Sequence, residues 1–172
     1  MKHRILFTLL ATGLLSASHV HAADPTCQFI ETAAAKAQQQ PAWHSIMEME
    51  EGSRVEMISL GEVTYMKADR GWMKIPANAG KLGQASAQAL GAGESKIHDC
   101  RKLGSEDVAG IATTAYAYTV DVPEVKLFGK VASEAKTTTG TYYIGSDGLP
   151  YAHATEGTKQ RWQYTGVTAP IP

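Results

Sequence analysis

Hydrophobic and polar positions alternate along most of this chain with a period of two, the pattern of strands with two unlike faces. Thr141-Tyr142-Tyr143-Ile144 is rich in β-branched and aromatic residues, and Ser146-Asp147-Gly148 follows it with turn chemistry. Pro150 lacks an N–H and suits the start of the returning strand, which runs to Thr155. The same arrangement stands upstream, where Glu62–Lys67 and Trp72–Ile75 flank Ala68-Asp69-Arg70-Gly71. Before it, Ile46 to Glu50 sets Met47 and Met49 against Ile46, Glu48 and Glu50, and Gly52-Ser53 turns the chain into Arg54–Leu60. Trp43 to Ile75 therefore reads as four strands in a meander.

Further along, Lys96 to Asp107 reads as a short strand around Cys100 that turns at Leu103-Gly104-Ser105. Gly110 to Val122 is the longest strand, with Tyr116, Tyr118, Val120 and Val122 facing one way and Ala115, Ala117, Thr119 and Asp121 the other. Gln160 to Val167 supplies a last strand with Trp162 and Tyr164 on one face. Pro123 to Lys136 mixes strand-like Val125 and Leu127 with a glycine and charges, and its state stays open.

Helical spacing occurs twice. Asp24 is a good N-cap, Pro25 suits the first helical position, and Phe29, Ile30, Ala33 and Ala37 then recur on one face, which predicts a helix from Pro25 to Gln39. Leu82, Ala85, Ala89 and Leu90 mark a weaker helix over 79–93, interrupted by Gly80 and Gly83. Each glycine costs a helix about 1 kcal/mol relative to alanine. That segment reads either as a movable cover over an apolar face or as a surface helix with no gating role. The whole is an α+β domain built on one antiparallel sheet of seven to nine strands.

Residues 1–22 stand apart from this pattern. Lys2, His3 and Arg4 precede an apolar run from Ile5 to Leu15, and Val20-His21-Ala22 gives a small-residue cleavage site, so the segment reads as a secretory signal. The run is shorter than the roughly 20 residues that span a bilayer. Cys27 follows Asp24-Pro25-Thr26, which is not a lipidation motif. Residues 23–172 are then one periplasmic domain, expected to be monomeric and not lipidated.

Without the leader, 14 basic residues stand against 17 acidic ones. That balance excludes nucleic acid as a partner, since polyanions select basic faces. Cys27 and Cys100 are not a CxxC pair; in an oxidising compartment they read first as a structural bridge, with two separate buried thiols as the alternative. The histidines at 44, 98 and 153 fit no HExxH or Cys-cluster spacing, no GxSxG elbow or phosphate loop is present, and Glu48 and Glu50 read as a solvent face. The expectation is a protein that is not an enzyme and needs no cofactor or metal.

One compositional feature bears on function. Beyond Met1, every methionine (Met47, Met49, Met57, Met66 and Met73) falls on neighbouring predicted strands. Met adapts to irregular apolar partners, so these strands read either as a cavity wall or as ordinary core. Tyr65 and Met66 are adjacent, so alternation lets only one of them face inward.

The order of motifs resembles a known group. Tyr65 to Pro76 (Tyr-x-Lys…Gly-Trp-x-Lys-Ile-Pro) leads into the small-residue helix, Gly104 to Gly110 precedes the tyrosine-rich strand, and Ile144 to Pro150 reads Ile-Gly-x-Asp-Gly-Leu-Pro. This is similar to the LolA/LolB-like superfamily of periplasmic lipid and lipoprotein carriers, including the mycobacterial LppX and LprG type. The resemblance implies a curved, unclosed antiparallel half-barrel whose concave face, covered by helices, holds an acyl chain, a lipid or a lipoprotein's lipid. It further implies a membrane-associated donor or acceptor protein. Met47, Met49, Met57, Tyr65, Met66, Trp72, Leu82, Leu90, Tyr116 and Tyr118 are the expected cavity-lining residues. A periplasmic protein–protein or sensor module without a lipid ligand is the alternative.

Overall fold

The computed structural model describes residues 24–68, 71–75, 96–127 and 130–170. The leader, the predicted helix over 79–93 with Leu82 and Leu90, and the centre of the 68–71 turn lie outside the described residues. One helix and eleven strands are described: α1 (Pro25–Gln38), β1 (Ala42–Met49), β2 (Arg54–Leu60), β3 (Val63–Ala68), β4 (Gly71–Ile75), β5 (Lys96–Val108), β6 (Ile111–Val122), β7 (Val125–Leu127), β8 (Lys130–Ser133), β9 (Lys136–Gly145), β10 (Pro150–Thr155) and β11 (Thr158–Gln163).

Nine strands form one antiparallel sheet in the order β4-β3-β2-β1-β11-β10-β9-β6-β5. It is curved and does not close on itself, so the expected half-barrel is the observed fold. Its first four strands are the predicted meander, and the last strand, β11, returns to pair with β1. The open segment contains β7 and β8, which pair with each other and, among the described residues, with no other strand.

α1 begins where its sequence says it should. The Asp24 carboxylate accepts the Thr26 N–H at 2.8 Å, and Pro25 opens the first turn. Its inward stripe is Cys27, Ile30 and Ala33, which meet Cys100, Tyr118 and Ile144 of the sheet. Small side chains at 33, 34 and 37 let the helix lie close to the strands. The expected bridge is present: Cys27 is bonded to Cys100 across a separation of 73 residues, with Cα atoms 5.2 Å apart. Phe29 departs from the expected stripe. It is 41% exposed and tilts against Tyr116 with ring centroids 5.1 Å apart.

Two strand expectations are corrected. Leu103-Gly104-Ser105 is not a turn; it lies inside β5, whose register with β6 shifts between Lys102 and Gly104 and again between His98 and Arg101. A glycine within a strand pattern marks a bulge as readily as a turn, and here long-range pairing with β6 decided for the bulge. The chain reverses at Ala109-Gly110 instead, where the Asp107 carboxylate accepts the Gly110 N–H. The last strand spans Thr158–Gln163, earlier than Gln160–Val167, because it pairs with both β10 and β1 over those residues.

Candidate ligand-binding face

Cross-strand register carries side-chain direction from one strand to the next. Met47 pairs with Gln160 and Val55, Met57 with Ser45 and Met66, and Met66 with Met73. Met49 follows Met47 by two positions and pairs with Thr158. All five methionines therefore stand on one face, the one that also bears Trp43 and Trp162. Through β10 and β9 that face continues into His153, Tyr142, Tyr118 and Tyr116, the side against which α1 packs. Tyr116 and Tyr118 thus stand on the same face as the methionines. Tyr65 and Trp72 do not: they are paired with Lys74 and Lys67 on the opposite face.

Charge separates the two faces. In β11 and β1–β4, Glu48, Arg54, Glu56, Lys67, Lys74, Lys159 and Arg161 all stand opposite the methionines. The methionine face of these five strands carries no charged side chain.

On that opposite face Glu56 is 9% exposed and holds three partners: Lys67 Nζ at 3.1 Å, His44 Nε2 at 2.9 Å and Arg54 Nη2 at 3.5 Å. Burial alone would raise its pKa, but these hydrogen bonds and charges outweigh it and hold the carboxyl below its ordinary range. Arg161 pairs with Glu48 at 3.2 Å. Trp72 lies under Lys67, 5.8 Å from the amine, and edge-on to His44. These contacts explain why Trp72 faces away from the methionines: alternation fixed its side, and the cation and imidazole cover it.

Beside α1 the methionine face deepens into a groove of about 340 Å³. Ala34, Ala37 and Gln38 form its helical wall; Trp43, Tyr142, Gln160 and Trp162 form its floor; Pro150 and Tyr164 close one end. Its size falls within the range of small-ligand sites, and its lining carries two side-chain amides and no charge. Tyr164 donates its hydroxyl to the Pro150 carbonyl at 2.7 Å, and burial pushes its pKa up. Of the expected lining residues that are described, none borders this groove. Met47, Met49, Met57 and Met66 extend its face beyond it, while Tyr116 and Tyr118 lie under α1 on the other side. The sequence did place Trp162 and Tyr164 together, but nothing local ties Trp43, Tyr142 and Gln160 to them; β11 does so by pairing with β1 and β10.

Under the groove floor sits an aromatic stack. The Tyr142 ring lies 4.3 Å from that of His153 and 5.6 Å from that of Tyr118, all three nearly parallel. His153 Nε2 and the Tyr118 hydroxyl are 2.6 Å apart. Burial lowers the His153 pKa to about 4 and raises that of Tyr118 to about 12. Among the described residues no group of three His, Cys, Asp or Glu side chains is placed to hold a metal.

The solved structures with this architecture include LprF from Mycobacterium bovis, matched at a TM-score of 0.51 over 86% of this chain and 96% of that one, at 12% identity. The fold is that of LprF. The Mycobacterium tuberculosis lipoprotein LppX follows at 0.47, 12% identity, covering 87% and 99% of the two chains. MucB is matched at 0.43 and 13% identity, over 86% of this chain and 62% of that one. No family model matches the sequence, and no characterised protein matches it in sequence. At such identities the likeness to LprF is one of architecture, and function has to be argued from this chain's own surfaces.

Proposed function

We propose that this protein is a non-catalytic periplasmic binder of an apolar ligand, an acyl chain belonging to a lipid or a lipoprotein. The observation that supports this most strongly is the segregation of charge. A methionine- and tryptophan-bearing face without a charged side chain spans five strands, while every charge of those strands points the other way. A sheet face that only met water would not be kept free of charge, and apolar surface left to water is costly. The groove beside α1 is where a chain would be most enclosed, between the alanines of the helix and the two tryptophans. Flexible thioethers at Met47, Met57 and Met66 accommodate ligand lengths beyond the groove. The resemblance to the LolA/LolB-like carriers, read from the motif order, points to the same ligand class.

Native mass spectrometry of the protein purified from a periplasmic extract tests the reading. The expected result is a fraction heavier than the chain by the mass of an acyl lipid, removed by organic extraction and restored by incubation with lipid. A single unliganded mass, with no uptake of any offered lipid, overturns it.

A further inference from the structure

The stack beneath the groove contains a titratable group that ligand binding alone does not require. His153 pairs across strands with Tyr142 and Gln160, and both of these line the groove. Tyr142 is thus shared: one side of its ring is the groove floor, and the other covers the imidazole at 4.3 Å. The facing groups are Tyr118 from β6, Tyr142 from β9 and Gln160 from β11. Lys159 and Arg161 of β11 stand on the opposite face, and the Lys36 amine of α1 is held by the Asp147 carbonyl. Among the described residues no carboxylate faces the ring, so none of them supplies a countercharge to a proton gained by His153. Burial is accordingly the cause of its lowered pKa, about 4.

We propose that Tyr118, Tyr142 and His153 form a proton-operated floor: protonation of His153 by solvent unstacks Tyr142 and opens the groove, so that acid releases an apolar ligand. An imidazolium needs more water than the neutral ring, and Tyr142, stacked on it at 4.3 Å, is the ring that also lines the groove. A ligand seated on Tyr142 holds that ring in place. Ligand and proton then exclude one another, and each lowers the affinity for the other by the same factor. The release clause rests on the apolar-ligand reading above; the opening of the floor does not.

Two measurements separate them. In unliganded Trp72→Phe protein, which leaves only Trp43 and Trp162, tryptophan fluorescence is followed from pH 7 to pH 3.5, beside the His153 ring signals by NMR and far-UV circular dichroism. The expected result is a fluorescence change with the His153 midpoint, at constant secondary structure, absent in His153→Phe and in His153→Gln. A His153 that titrates with no change in the tryptophans, or a tryptophan change that survives both substitutions, overturns the inference. The second measurement follows binding of N-phenyl-1-naphthylamine, a probe uncharged over this range. Its apparent Kd should rise about fourfold by pH 3.5, the linkage factor for a group titrating near pH 4, and stay level in His153→Phe. Level binding in the parent protein sinks acid release and leaves the apolar-ligand reading standing. Failure of the probe and of every lipid to bind at pH 7 removes both that reading and the release clause, while the floor is still judged by the fluorescence.

Discussion

The ring of Tyr118 lies across Gly140, its cross-strand partner, so closely that a β-carbon on residue 140 would stand 2.5 Å from the phenol oxygen. The glycine is what lets Tyr118 lean over β9 and reach His153 on β10. Its place is set by close approach and not by a turn.

Gly140→Ala is therefore expected to force the tyrosine out of its seat. Overpacking of this kind costs about 1–3 kcal/mol, and the Tyr118–His153 hydrogen bond should break with it. Denaturant unfolding measures the first effect and the His153 ring signals the second. A Gly140→Ala protein with parental stability and an unchanged His153 environment would contradict the packing described here.

Met57→Glu should abolish binding of an apolar probe while leaving the fold intact, because the side chain is half-buried on the uncharged face and can reach solvent at modest cost. Tyr65→Glu, on the other face and eight residues away, should leave binding unchanged. Equal losses in the two variants would show that the faces are not functionally distinct. Trp162→Ala, in the groove floor, should weaken the probe more than Met57→Ala does.

Opening the Cys27–Cys100 bond releases α1 from β5. On a chain-entropy argument, a bridge closing a loop with a separation of 73 residues contributes about 4 kcal/mol. Urea unfolding with and without reductant, or of a Cys27→Ser/Cys100→Ser protein, should show a loss of unfolding free energy of that order. The loss should appear first as exposure of the α1 core residues Ile30 and Ala33.

Acid should weaken the fold through His153 as well as open the groove. Its folded pKa of about 4 lies below the ordinary imidazole value, so the native chain binds fewer protons than the unfolded one between about pH 6.5 and pH 4. Stability due to a neutral His153 is complete above that window and declines as pH falls through it, by up to about 3 kcal/mol. His153→Phe should flatten this part of the stability–pH curve.

His98 has the opposite sign. The hydrogen bond that His98 Nδ1 donates to the Asp99 carboxylate, with the charges of Asp121 and Asp99, raises its pKa against a smaller burial effect. Its contribution is present below the ordinary histidine pKa and is lost as pH rises through the raised value. His98→Gln should therefore cost most near pH 5 and least near pH 9, read from thermal unfolding at the two pH values.

The sequence by itself determined α1, most of the strands and the partition of their residues between two faces. Those depend on near neighbours: alternation sets Met47 against Glu48 and Met66 against Lys67, and Asp24-Pro25 starts a helix whatever follows. It also carried the constraint that Tyr65 and Met66 oppose each other, though not which of them faces α1. That choice, and with it the assembly of the face, belongs to pairing between distant strands. β1 meets β11 more than a hundred residues later in the chain, and only this brings Trp43 beside Trp162. The bulges of β5 had the same origin: Gly104 permits a turn or a bulge, and the length of β6 opposite it decided. The groove and the His153 stack needed one thing more, the seat of α1 on the sheet. Helix packing there is set by the Cys27–Cys100 bond and by Ile30 and Ala33 against Tyr118 and Ile144, contacts among residues that no local pattern relates.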